Sequence, residues 1–92
     1  MELIHEKNRI VVYGRRREVL AEITMEETEE RVVTISHTFV DASLRGQGVA
    51  GRLMEEAVRR IRAEGKRLRA SCSYADAWMK KHPEEADLLE IP

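Results

Sequence analysis

The sequence has a single cysteine, Cys72, so no disulfide can form within the chain, and a reducing compartment is the expected setting. It has no excess of either charge. Asp, Glu, Lys and Arg make up 36% of the residues, yet the net charge is −1. That balance excludes a general nucleic-acid binder, which would show a basic excess. No apolar run is long enough to span a bilayer, and Met1-Glu2-Leu3-Ile4-His5-Glu6 is charged where a secretion signal would be apolar. The expected location is the cytoplasm, with neither a membrane nor a nucleic acid as partner. Repeats, linkers and low-complexity segments are also missing, so the 92 residues are read as one domain, 1–92. At 42% apolar, the chain can build one modest core but not a large buried cavity. A ligand is therefore expected in a surface groove.

What is present is patterned. Arg9-Ile10-Val11-Val12-Tyr13 is short and β-branched and reads as a strand, with Gly14-Arg15-Arg16-Arg17-Glu18 as its turn. Val19, Ala21, Ile23 and Met25 then alternate with Leu20, Glu22 and Thr24, the period of a half-buried strand. Glu26 to Glu30 is expected to be an acidic hairpin connection. From Val32 to Val40 the alternation resumes, which puts Val33, Ile35, His37 and Phe39 on one face and Thr34, Ser36 and Thr38 on the other. Three strands joined by short turns predict an antiparallel meander.

After Asp41-Ala42-Ser43-Leu44, the residues Val49, Ala50, Leu53, Met54, Ala57, Val58 and Ile61 recur at helical spacing. Glu55 with Arg59 and Glu56 with Arg60 are spaced as i,i+4 pairs, and Gly65 is placed to end the helix. Leu68, Ala70 and Cys72 alternate as a fourth strand, which a right-handed crossover would lay parallel to the third. Lys66-Arg67-Leu68-Arg69, like the arginine run at 15–17, reads as a solvated flank of an apolar strand. Tyr74 to Lys81 predicts a short second helix stopped by His82-Pro83, and residues 84–92 add a last turn or strand.

The chemistry concentrates in Arg45-Gly46-Gln47-Gly48-Val49-Ala50-Gly51. Glycines allow close backbone approach, and a helix start offers unpaired N–H groups and the positive end of the peptide dipole. Together they predict an anion site suited to phosphate. The spelling G-x-G-x-x-G belongs to dinucleotide folds, but here five residues separate Val40 from Gly46, the upstream strands are antiparallel and only one crossover exists. A P-loop is excluded too, because no Lys-Ser or Lys-Thr pair closes the motif.

Arg45-Gly46-Gln47-Gly48-Val49-Ala50 resembles Arg/Gln-x-x-Gly-x-Gly/Ala, the acyl-CoA pyrophosphate signature of the GCN5-related N-acetyltransferases (GNAT). With His37-Thr38, Ala70-Ser71-Cys72-Ser73-Tyr74 and His82-Pro83-Glu84, the chain is similar to the very small GTLP/YidJ-type domains of that superfamily, from about Leu20 to Leu89. The resemblance implies an α+β fold (α/β three-layer-like): a mixed sheet made of an antiparallel meander and one βαβ crossover, with a short C-terminal helix. It implies acetyl-CoA or coenzyme A as cofactor. The strands ending at Val40 and Cys72 would splay, and the backbone around Phe39, Val40 and Asp41 would pair with the pantetheine arm. Arg45, Gly46, Gln47, Gly48, Val49, Ala50 and Gly51 would hold the pyrophosphate. Tyr74, with Lys80 or Lys81, would meet the adenosine end.

Two side chains are candidates for chemistry. His37, on an apolar strand face, would be kept a neutral base and would deprotonate an acceptor amine. Cys72, near a helix start, would instead take the acetyl group transiently as a thiolate nucleophile. On residue type alone, a hydrogen-bonded core histidine and a small buried hydrophobe are the commoner roles for these two. Larger relatives have two helices before the glycine motif and a tyrosine acid in the helix after the splay, where this chain has Trp78 and Met79. The function implied is transfer of an acetyl group to an amine of a small molecule or protein, by a monomer or dimer. The alternative is a CoA-binding module without catalysis.

Overall fold

The computed structural model describes residues 1–90. Five strands form one sheet in sequence order: β1 (Ile4–His5), β2 (Arg9–Tyr13), β3 (Val19–Glu29), β4 (Val32–Val40) and β5 (Arg67–Ala70). The first four pair antiparallel and β4 pairs with β5 in parallel. Helix α1 (Val49–Ala63) makes the crossover, helix α2 (Ser73–Lys81) follows β5, and a 3-10 helix spans Pro83–Leu88. Leu89 then bridges Leu68 in parallel, so the expected last strand is present as one bridge; Ile91 and Pro92 lie outside the described residues. Among the described residues, no helix is long and apolar enough to cross a membrane.

The apolar stripe of α1 does what its spacing predicts. Val49, Leu53, Met54, Ala57, Val58 and Ile61 are all buried and share one core cluster with Ile10, Val12, Ala21, Ile23, Met25, Val33, Ile35 and Leu68 of the sheet. Ala75, Trp78 and Met79 of α2 join the same cluster. Each fully buried Leu or Ile contributes about 1.5–3 kcal/mol relative to an exposed one, so this one face supplies most of the hydrophobic stabilisation. Gly65, at φ +68°, ends α1 as expected. Its N–H reaches the Arg62 carbonyl and that of Lys66 reaches the Ile61 carbonyl, a Schellman closure. Among the described residues, no helix packs on the opposite sheet face. It carries Arg9, Val11, Tyr13, Glu22 and Thr24 instead.

Several expectations change in detail. β3 runs to Glu29 rather than ending before an acidic connection, and the hairpin tip is Glu30-Arg31. The carboxylates stay in the strand because cations meet them: Glu27 pairs with Lys66 and Glu29 with Arg69. Neither expected i,i+4 pair on α1, Glu55 with Arg59 or Glu56 with Arg60, forms, and Arg60 Nε lies 3.5 Å from Glu64 instead. Glu56 takes His5 at 3.0 Å and Arg59 at 2.8 Å, while Arg60 donates to the carbonyls of Glu6 and Lys7, both at 2.8 Å. Tertiary acceptors replaced the local ones, and they fasten the β1–β2 turn to the helix.

The largest change lies in β4. Thr24 faces His37 but Met25 faces Ile35, so Ser36 is an extra residue in the ladder, a β-bulge. One added residue inverts the alternation beyond it. Val33 and Ile35 keep the helix-facing side. His37 and Phe39 turn to the helix-free side with Glu22 and Thr24, while Thr38 and Val40 take their place.

Candidate cofactor groove and strand splay

Parallel pairing between β4 and β5 runs from Val32↔Arg67 to Ile35↔Ala70 and then stops. The N–H groups of Ser71 and Cys72 both converge on the Ile35 carbonyl, at 3.0 and 3.4 Å. Beyond the bulge, β4 continues to Val40 paired only with β3, while the chain after Ala70 turns into α2. The two strands therefore splay at Ser36, and the side of β4 that faced β5 is left open. An open strand side presents N–H and C=O groups able to pair with an extended ligand.

Below the splay, Asp41 begins a 3-10 turn, Ala42–Leu44. Its Oδ2 accepts from the Ser43 amide at 3.0 Å and the Ser43 hydroxyl at 2.7 Å. The hydroxyl, then the amide and the nearby charge of Arg45, hold the Asp41 carboxyl below the usual carboxylate range. The Asp41 N–H is already donated to the Leu20 carbonyl at 2.7 Å, and by the alternation of the antiparallel ladder Phe39, opposite Glu22, also turns its amide to β3; of the three expected residues only Val40, together with Thr38, presents its amide to the open side. Arg45 folds back so that its Nε approaches the Val40 carbonyl at 3.4 Å.

Gly46 and Gly48 adopt φ +81° and +72°, and a Cβ on either would meet nothing within 4 Å. These glycines serve conformation and access rather than packing. Gly48 is the N-cap of α1, with no side-chain cap, and the first turn carries no acidic residue. The first helical bond is Arg52 N–H to the Gly48 carbonyl at 3.1 Å, which leaves the amides of Val49, Ala50 and Gly51 without helical acceptors. Helices commonly fill this position with Ser, Asp or Glu. Here it faces an open groove of about 260 Å³ lined by Val40, Leu44, Gly48, Ala50, Gly51 and Tyr74.

Tyr74, 37% exposed, forms the far wall, with its hydroxyl 3.9 Å from where a Cβ on Gly51 would stand. Burial, aided by the Glu55 carboxylate, pushes its phenol up, so it remains a neutral hydrogen-bond donor. Lys80 pairs with Asp76 at 3.0 Å one turn further along α2.

Cys72 stands at the splay as the N-cap of α2. Its sulfur accepts from the Ala75 amide at 3.4 Å and lies 3.6 Å from the Thr38 hydroxyl across the gap. His37 does not join it. The expected apolar setting among Val33 and Ile35 is absent, because the bulge turns the imidazole to the helix-free face. There its side chain is 55% exposed and Nε2 lies 3.5 Å from Glu22 Oε2. The two candidate reactive side chains thus occupy opposite faces of the sheet. Thr38, Glu22 and Leu44 were missed in the sequence. Only the Asp41-x-Ser43 spacing, a turn-capping signature, could have flagged the start of this loop.

A mixed sheet whose parallel pair splays beside an uncapped, glycine-rich helix start defines the acetyltransferase type of fold. It aligns with a GCN5-like protein from Staphylococcus aureus classed as an N-acetyltransferase: TM-score 0.81, 29% identity, 97% of this chain and 87% of that one covered. Tetrahymena GCN5 aligns with TM-score 0.63 and 18% identity over 79% of this chain and 48% of that one. A Bacillus anthracis protein classed as a streptothricin acetyltransferase, in complex with acetyl coenzyme A, aligns with TM-score 0.58 and 16% identity over 86% and 49%. The chain spans about half the length of these last two. No curated protein matches the sequence significantly. The family model for GCN5-related N-acetyltransferases matches residues 9–88, and the chain belongs to that family.

Proposed function

We propose that the protein binds acetyl-CoA and transfers its acetyl group to an amine. The observation that carries this reading is the splay at Ser36 opening beside the unpaired amides of Val49, Ala50 and Gly51. An anion at those amides gains hydrogen bonds and the helix dipole together. With the pyrophosphate at Gly46 to Gly51, the pantetheine arm follows β4 along Val40 and Thr38 and the thioester reaches the gap between Thr38 and Cys72. Arg45 and Tyr74 close the groove on either side. The acetyl coenzyme A bound to the Bacillus anthracis neighbour and the family membership favour the same cofactor. The coverage of the Staphylococcus aureus protein, 87% of its length, favours the short GTLP/YidJ type.

Two routes for the acetyl group are open to these residues. Cys72, whose sulfur accepts from the Ala75 amide and lies 3.6 Å from the Thr38 hydroxyl, would receive it covalently. His37 would serve a direct attack from the other face. The rival reading is a CoA-binding module without turnover, favoured by the open, helix-free surface around His37.

Thermal unfolding in the presence of CoA, acetyl-CoA or NAD tests the cofactor. CoA or acetyl-CoA at about 100 times its dissociation constant should stabilise the fold by roughly 2.7 kcal/mol. NAD should give no shift. Equal shifts with all three, or none, would remove the reading.

A further inference from the structure

We propose that Glu22 is the positioning residue for His37, and that this pair receives the acceptor amine on the helix-free face of the sheet. The inference rests on the acetyl-transfer reading above and extends it to the side of the sheet opposite the cofactor groove. Three observations carry it. The bulge at Ser36 places His37 at the splay but turned away from Cys72 and Thr38, toward open solvent. Glu22, on the neighbouring strand, brings Oε2 to 3.5 Å from Nε2, while its Oε1 is held by Arg9 Nη1 at 2.8 Å. Arg9 is in turn fixed by Glu6 Oε1 at 2.7 Å and by the Tyr13 hydroxyl at 3.0 Å. The Glu22 side chain is only 19% exposed, and its two carboxylate oxygens face Arg9 and His37.

Charge supports the same assignment. Two carboxylates, Glu6 and Glu22, share one guanidinium, Arg9, which holds Glu22 by Oε1 and leaves Oε2 directed at His37. Arg17, 4.7 Å over the Tyr13 ring, adds a second cation that acts on Glu6. A carboxylate 3.5 Å from Nε2 favours the tautomer with its proton on that nitrogen, which leaves Nδ1 as the acceptor that a general base needs.

The step balances as follows. Nδ1 takes one proton from the acceptor ammonium, and the freed lone pair forms the C–N bond at the acetyl carbonyl carbon. The C–S bond breaks with its electron pair on the CoA sulfur. The remaining surplus proton on nitrogen passes to that thiolate, giving CoASH, amide and protonated His37. Because the His37 side chain is 55% exposed and no helix among the described residues covers that face, a lysine side chain or polyamine can reach it without entering a closed pocket.

The experiment follows CoA release from acetyl-CoA with two probe amines, spermidine and a lysine-containing peptide. It compares wild type, Glu22→Gln, His37→Ala, the double variant and Glu26→Gln as a surface-charge control. Thermal melts verify that each is folded. The expected result is a fall in kcat of about 10-fold or more for Glu22→Gln and about 100-fold for His37→Ala, with the KM for acetyl-CoA unchanged. The double variant should be no slower than His37→Ala, since Glu22 acts through it, and Glu26→Gln should match wild type. Additive losses, a loss confined to KM, or a Glu22→Gln rate equal to wild type would overturn the pair. Wild type inactive on both amines but still stabilised by CoA would also overturn it, leaving the cofactor site standing. Loss of both signals would instead remove the proposed function.

Discussion

Replacing Gly51 with aspartate is expected to lower acetyl-CoA affinity by about 100-fold while leaving the fold as stable as the wild type or slightly more so. Gly51 lies in the first turn of α1 with ordinary helical φ, and the nearest atom to an added Cβ is the Tyr74 hydroxyl at 3.9 Å. Removing a helical glycine and adding a carboxylate near a helix N-terminus each favour the folded state, by about 0.3–1 kcal/mol. The same carboxylate stands where the pyrophosphate is proposed to sit. Two like charges about 5 Å apart at an effective dielectric constant near 20 repel by about 3 kcal/mol, which is the source of the 100-fold figure. Isothermal titration calorimetry and a denaturant melt on the same variant separate the two effects. Unchanged affinity would show that the helix start is merely open, and Gly51→Ala serves as the uncharged comparison.

Leu53→Ala is expected to be the most damaging single truncation in the core. Leu53 is completely buried and sits mid-stripe on α1, in one cluster with Ile10, Ile23 and Ile35. Such a truncation costs about 2–5 kcal/mol, the removed methyls and the residual cavity together. For a domain of this size, total stability is on the order of 5–14 kcal/mol. A loss of about 3 kcal/mol lowers Tm by roughly 12–24 °C. Arg59→Ala, whose side chain is 76% exposed, should change stability by no more than about 0.5 kcal/mol. A Leu53→Ala midpoint close to that of Arg59→Ala would mean that α1 is not docked as described. CoA binding should weaken with Leu53→Ala only through the fraction unfolded, since no atom of Leu53 lines the groove.

Much of this organisation was readable from residue order because it depends on local pattern. The stripe from Val49 to Ile61 fixed one helix, Gly65 its end, and the β-branched runs the meander. What was not readable depends on register and on distant partners. A period-2 reading of Val32 to Val40 assumes an unbroken ladder, and Ser36 is as compatible with a regular strand as with a bulge. Yet that one residue decides that Thr38, not His37, faces Cys72. Similarly, Glu56 and Arg60 have the spacing of a local pair but find His5 and the carbonyls of Glu6 and Lys7 instead, groups some 50 positions away. β1 was invisible because two residues, Ile4 and His5, carry no period. The glycine loop was legible since its conformational demand, positive φ at Gly46 and Gly48, is a property of the residue type itself.

The central claim is that one groove, from the α1 start to the β4–β5 splay, holds acetyl-CoA. Titrating uniformly ¹⁵N-labelled protein with acetyl-CoA and following backbone amides by NMR tests it most directly. The expected result is saturable shifts, largest at Gly46 to Gly51, at Ser36 to Val40 and at Ser71 to Tyr74. Shifts that never saturate, or that centre on Lys7, Arg60 and Lys66 at the opposite end of α1, would contradict it.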